Sequence, residues 1–292
     1  MSIYNPHLKL PNDTSLPFFA YGIFKPNQLA YSRIREYVRN AIPEEINYKM
    51  LMRDGVPLIV PPKNNKVQHH SHGYLIYFKE DCSNRAYETI CNNEPEKLYK
   101  WEVIRVGENK ANVLMGVNPE LGSSPMYENQ GCYDGRNDPF FNEALKVIEQ
   151  ELNDKNKHWS SVDDFFKLQM AYMLLWSSID RYLTLKYPGH SFGDYHKQFA
   201  KEKAFKDSLK RHVTENRKVY SAQDLREYTL DSKKSFYSLK YYYTIRCNVV
   251  HRGKAIHGDE YMLRASLTEL LNIFKDVLND TFNNSISNAS GV

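Results

Sequence analysis

The chain has 292 residues, 41% of them hydrophobic and 25% charged, the balance of a folded globular protein long enough for two domains that each bury a core. No apolar run approaches the ~18 residues of a membrane span, and the N-terminus lacks the charged-then-apolar pattern of a secretory leader, so a cytoplasmic protein with no membrane partner is expected. The net charge of +4 is uneven: residues 1–139 carry 16 Lys and Arg against 16 Asp and Glu, and residues 140–292 carry 23 against 19.

Residues 17–135 read as short strands and loops. Leu16-Pro-Phe-Phe-Ala-Tyr21 is an apolar run ending at Gly22. Val56-Pro-Leu-Ile-Val60, Gly73-Tyr-Leu-Ile-Tyr-Phe78, Trp101-Glu-Val-Ile-Arg-Val106 and Ala111-Asn-Val-Leu-Met-Gly-Val117 follow, each β-prone and set among Gly, Pro or Asn. Helices fit near 28–40 and 82–92. The pattern predicts a mixed sheet or small barrel within an α+β chain. Residues 118–138 are rich in Gly, Pro, Ser and Asn, and the linker is placed at 121–139.

From Pro139 onward the pattern is helical. One helix fits 140–154. A second opens at Ser160-Ser-Val-Asp163 and runs to Tyr187, with Phe165, Phe166, Met170, Met173, Leu174 and Leu183 at helical spacing. Residues 197–218 form a third, basic segment, with 8 basic residues against 3 acidic. A fourth helix runs from about Lys233 to Arg252 with Gly253 placed to end it, and a fifth covers 259–280. The expectation is an all-α bundle over 140–282, following a β-rich domain over 1–120, with a disordered polar tail at 283–292.

The fourth helix carries the chemistry. In Tyr241-Tyr-Tyr-Thr-Ile-Arg-Cys-Asn-Val-Val-His-Arg-Gly253, the polar groups Arg246, Asn248 and His251 interrupt an apolar and aromatic stretch. A cation among apolar side chains is costly unless something pairs with it. Arg246 and His251 lie about 140° apart on an ideal helix, but His251 falls at the expected helix end, where the backbone turns. Asn248 and His251 share a face. Cleavage of RNA by its own 2′-hydroxyl needs an imidazole to move protons and a guanidinium to stabilise charge on the phosphoryl oxygens. Asn248 is placed to orient the phosphate or the imidazole. Lys203, Lys206, Lys210 and Arg211 of the basic segment suit a phosphate backbone.

Arg246-Cys-Asn-Val-Val-His251, late in a helical region, resembles the Rx4-6H motif of the HEPN superfamily. That resemblance covers roughly 140–282. It implies a homodimeric, metal-independent endoribonuclease without a cofactor, a toxin or antiviral effector with RNA as substrate and an antitoxin or regulator as further partner. The chain departs from the pattern in one place: a polar residue often follows the Arg directly, whereas here Cys247 intervenes before Asn248.

Phe18-Phe-Ala-Tyr-Gly-Ile-Phe-Lys-Pro-Asn-Gln28 is a strand entering a tight Gly-containing loop, whose backbone N–H groups suit a carboxylate or phosphate. With Gly73–Phe78, Asn93-Glu-Pro-Glu-Lys-Leu-Tyr99 and the strand from Trp101, it resembles the γ-glutamylcyclotransferase-like (AIG2-like) fold over about 17–117. The resemblance implies Glu94 as proton shuttle, with Glu96 as fallback, and Tyr21 and Gly22 lining a ligand loop. Ile23, Asn27, Pro95 and Trp101 depart from the pattern, and Ile23 removes a hydroxyl donor. A sensing or regulatory domain for a small amine- or carboxylate-bearing ligand is therefore expected. The alternatives are an active cyclotransferase and a non-enzymatic assembly module.

Two clusters carry no site. His69-His70-Ser-His72 has no ligand partner at metal spacing and reads as a loop and strand start. Cys82, Cys91, Cys132 and Cys247 lack paired spacing and read as free thiols.

Overall fold

A computed structural model describes residues 8–53, 55–62, 68–94, 96–117, 127–128, 131–155, 157–158, 161–187, 192–252 and 259–283. The side chains of residues 127–128, 192 and 251–252 also lie outside the description, as do residues 284–292 of the tail placed at 283–292, whereas Asn283 is helical. The chain divides into two compact units. One comprises Met1–Gly135 with Thr281–Val292, the other Arg136–Asp280.

The first unit is built on an eight-stranded mixed sheet. Its strands are β1 (Phe18–Ala20), β2 (Val38–Ile46), β3 (Lys49–Arg53), β4 (Val56–Val60), β5 (Ser71–Phe78), β6 (Tyr99–Val106), β7 (Asn109–Gly116) and β8 (Tyr127–Glu128). The order is β2-β5-β1-β7-β4-β3-β8, with β6 paired along β7. β7 runs parallel to β1 and to β4, and the remaining pairings are antiparallel. β8 falls inside the segment read as a linker and pairs with Leu51 and Met52.

The apolar runs of the sequence become the buried centre of this sheet: Phe19, Leu58, Ile59, Leu75, Ile76 and Val113 are fully enclosed. At Gly73 an added Cβ would stand 2.5 Å from the Phe19 ring and 2.7 Å from the Ala20 carbonyl, so only glycine lets β5 cross β1 this closely. α1 (Tyr31–Ile34) is a single turn, continued by a 3-10 turn over Arg35–Tyr37. The helix expected over 28–40 therefore stops short, and β2 begins at Val38. α2 (Ser83–Cys91) turns Ala86, Tyr87, Ile90 and Cys91 inward. Tyr87 is the hinge of an aromatic cluster, its ring meeting Phe18, Phe78 and Trp101 edge-on.

The second unit holds α3 (Glu143–Asn153), α4 (Val162–Lys186), α5 (Phe192–Lys201), α6 (Lys203–His212), α7 (Ser235–Arg252) and most of α8 (Glu260–Asn283). Ser161 caps α4, its hydroxyl accepting from the Asp164 N–H. The basic segment 197–218 covers the end of α5 and all of α6, and its last two residues, Arg217 and Lys218, are extended.

The expectation of an all-α bundle is overturned. β9 (Arg217–Tyr220) and β10 (Glu227–Leu230) form an antiparallel hairpin inside the helical unit. Val219 and Leu230 bury their side chains there, and Leu225 takes φ +56° in the connecting loop. Four-residue strands, Arg-Lys-Val-Tyr and Glu-Tyr-Thr-Leu, carry too few apolar residues to give a period-2 signal, and β10 packs on α7.

Candidate functional site

α7 owes its position to a buried aromatic face. Leu239, Tyr241, Tyr242 and Ile245 are enclosed, and the Tyr172 hydroxyl of α4 donates to the Tyr242 carbonyl at 2.8 Å. The Tyr242 hydroxyl donates to Glu269, which also pairs with Arg217. This face fixes the helix and turns Tyr243, Arg246 and Cys247 outward.

Arg246 is half-buried. Its guanidinium carbon stands 5.5 Å from the Tyr243 ring centroid, a cation–π contact. Tyr243 in turn packs on Trp176 of α4 at 5.5 Å and on His196 of α5 at 5.1 Å. Among the described residues no carboxylate lies within ion-pair distance of Arg246, and its Nε is buried without a hydrogen bond. Asp180 on α4 is close enough to feel it: burial raises that carboxyl above its ordinary value, and Arg246 pulls the other way. His196 is pushed down to about 4, first by burial and then by Arg246, so its ring is neutral at pH 7. The arrangement leaves a permanent cation on an aromatic platform, with donors uncommitted to a counter-ion. That is a suitable receptor for a phosphate.

Asn248 does not join this group. It lies two residues, about 200°, around the helix from Arg246. Its amide accepts from the Ala222 N–H and donates to the Tyr220 carbonyl, both at 2.8 Å, and so pins the β9–β10 loop. His251 occupies the last turn of α7, five residues from Arg246, and its side chain and Gly253 lie outside the described residues.

Lys203, Lys206 and Lys210 are exposed at i, i+3 and i+7 on α6 and share one face. Lys203 approaches Asp207 at 3.6 Å. Arg211 is bound to Asp276 at 2.9 Å, together with Ser208 and His212, and part of its charge serves the fold. On another side of the unit, α3, α4 and α7 border an open apolar groove of about 770 Å³. Its walls include Val147, Phe166, Met170 and Val250, all exposed.

In the first unit Tyr21, Gly22 and Glu94 do come together. They line one cavity with Phe18, Pro57 and Tyr99. Its volume of about 30 Å³ admits about two waters, at 10–15 Å³ for one. The loop after β1 is tightly wound by Lys25 N–H to Gly22 carbonyl and Ala30 N–H to Ile23 carbonyl bonds, with Asn27 at φ +65°. Glu94 is buried, and desolvation pushes its carboxyl up to about 8. It is therefore a neutral acid at pH 7. The Tyr21 hydroxyl donates to the Leu114 carbonyl and the Tyr99 hydroxyl to the Pro57 carbonyl. Both phenols are raised by burial and by Glu94.

Two of the residues that differ from the resembled sequence pattern, Ile23 and Trp101, have structural roles. Ile23 is core, and Trp101 packs on Phe18 and Tyr87 while its indole N–H donates to the Lys9 carbonyl. Glu96 is exposed, and Pro95 lies outside the described residues. His70 and His72 both face Glu45. Among the described residues no group of three or more His, Cys, Asp or Glu is set to hold a metal, and no helix is long and apolar enough to cross a membrane.

Sequence reasoning missed Trp176, Asp180 and His196. A carboxylate at Asp180 within a long aromatic helix was the available signal, because a charge there requires a partner. Comparison with family models, with curated proteins and with solved structures finds no match.

Proposed function

We propose that the helical unit is a metal-independent endoribonuclease in which Arg246 and His251 act on the scissile phosphate. The observation that carries this reading is Arg246 itself: a half-buried guanidinium on the Tyr243 ring, with no ion-pair partner among the described residues. The 2′-hydroxyl attacks the adjacent phosphorus and the bond to the 5′-oxygen breaks, leaving a 2′,3′-cyclic phosphate and a free 5′-hydroxyl. His251 moves the proton, and Arg246 stabilises the charge gathering on the phosphoryl oxygens. The exposed lysine face of α6 supplies a sequence-independent grip on RNA. The apolar groove supports a homodimer, since an exposed apolar surface of this kind favours burial against a second copy. By the motif's resemblance, the biological role is growth arrest or antiviral defence, with the first unit as sensor. Asn248 has no part in the chemistry.

The test is cleavage of total RNA by the purified chain in EDTA, with R246A and H251A beside it. Cleavage by wild type alone is expected, with 2′,3′-cyclic phosphate ends. An R246A/H251A double variant as active as wild type would end the nuclease reading.

Glu94 favours a second reading for the first unit, a small-molecule site. A neutral buried acid beside a backbone loop suits recognition of an amine or carboxylate, or proton transfer in 5-oxoproline formation. The cavity has room for only about two waters, so such a ligand requires the loop at Gly22 to open. Turnover of a γ-glutamyl amine that E94Q abolishes is the outcome that identifies catalysis. Ligand binding without turnover identifies a sensor.

A further inference from the structure

The cluster around Arg246 contains more polar atoms than the proposed cleavage uses. Asp180 stands one turn beyond Trp176 on α4, so both side chains face the same direction. Among the described residues, the Asp180 Oδ1 and the Arg246 Nε are both buried without hydrogen bonds. One acceptor and one donor are thus stranded about a single aromatic platform, formed by Tyr243, Trp176 and His196, and the two charges act on each other across it. Stranding one buried polar atom is costly, and stranding a complementary pair in one place needs a reason.

We propose that Asp180 is a positioning residue for Arg246, taking the Nε edge of the guanidinium from the interior side so that the Nη edge faces a phosphate. A guanidinium has donors on both edges, and occupying one aims the other. Asp180 also neutralises a cation that would otherwise sit half-desolvated with no phosphate bound. Neutral His196 borders the pair and adds no charge of its own. The role assigned to Arg246 rests on the nuclease reading, whereas the pairing of Asp180 with Arg246 does not.

The experiment therefore has two readouts on the full chain. The first is a double-variant cycle of D180A, R246A and D180A/R246A in urea unfolding. The expected result is that the double variant unfolds about as readily as the worse single variant, a coupling of about tenfold in the unfolding constant. Effects that simply multiply would overturn the proposal. The second is RNA cleavage by D180N and D180E. D180N is expected to lower kcat about tenfold or more with KM within about threefold, and D180E to restore part of the loss. Wild-type kcat in D180N overturns the positioning role even if the nuclease reading stands. Coupling in the cycle without cleavage by any form keeps the pair and ends the nuclease reading.

Discussion

Replacing Glu94 with Gln should make the first unit insensitive to pH over a range where the natural protein is not. The carboxyl titrates at about 8 in the fold against an ordinary 4.5, and desolvation is the cause. The folded state therefore keeps a proton that the unfolded chain gives up above pH 4.5. Stability from this group is complete below that pH, declines as pH rises, and levels off above about 8. The interval is about 3.5 pH units, and at about 1.36 kcal/mol each the full loss is about 5 kcal/mol, of which about 3 kcal/mol is already lost at pH 7. Gln has nearly the same shape and no charge at any of these values. Urea unfolding from pH 5 to 9, read by hydrogen exchange of the amides at Phe18–Tyr21, should show E94Q gaining on wild type by about 1.4 kcal/mol per pH unit up to pH 8, then no further. Parallel curves for the two proteins would refute the claim that a buried, uncompensated carboxyl stands in this cavity.

Other perturbations separate fold from function. N248A strips partners from the Ala222 N–H and the Tyr220 carbonyl and should cost about 1–3 kcal/mol in unfolding, while cleavage per folded molecule stays at the wild-type rate. K203E/K206E/K210E should weaken RNA binding uniformly across sequences and flatten its dependence on salt by about 2 in log–log slope, measured by fluorescence anisotropy. G73A forces a methyl group into the Phe19 ring and the Ala20 carbonyl, so soluble expression or the Tm of the first unit should drop sharply.

The parts of the fold visible in the sequence are those where apolar pattern and burial coincide. Val56–Val60 is a strand to the residue, and Ser83–Cys91 lies within the expected helix at 82–92. Ser161 caps α4 as a hydroxyl before an apolar periodic run should. The elements that stayed hidden lack that coincidence. β2 carries Arg39, Asn40, Pro43, Glu44 and Glu45 because it is an edge strand, where a proline and charges are tolerated and discourage further pairing. β3, Lys-Met-Leu-Met-Arg, has a helix former's composition and is extended because β4 and β8 flank it. The candidate site divides in the same way. Arg246 stands out as a cation among tyrosines, and Glu94 only through a resemblance of the segments around it. Trp176, Asp180 and His196 come from two other helices, and only the tertiary packing brings them to Arg246.

The placing of Cys247 directly after Arg246 has a geometric consequence for the whole site. Each residue turns an α-helix by about 100°, so a group directly after Arg246 stays on the outward quarter of α7, while one two residues on lies nearly opposite. Cys247 holds the near position beside Tyr243, one turn back, whose phenol is pushed up to about 12 first by burial and then by Cys247. Asn248 holds the far position and is consumed by the hairpin loop. At this position the Asn248 amide anchors the hairpin, and under the proposed reading the aromatic platform and Asp180 orient Arg246. An amide placed next to the arginine, as C247N, would add a donor on the Tyr243 side. If the platform already orients Arg246 fully, C247N should leave cleavage unchanged. A gain in kcat at constant stability would mean instead that the platform leaves Arg246 short of a donor beside it.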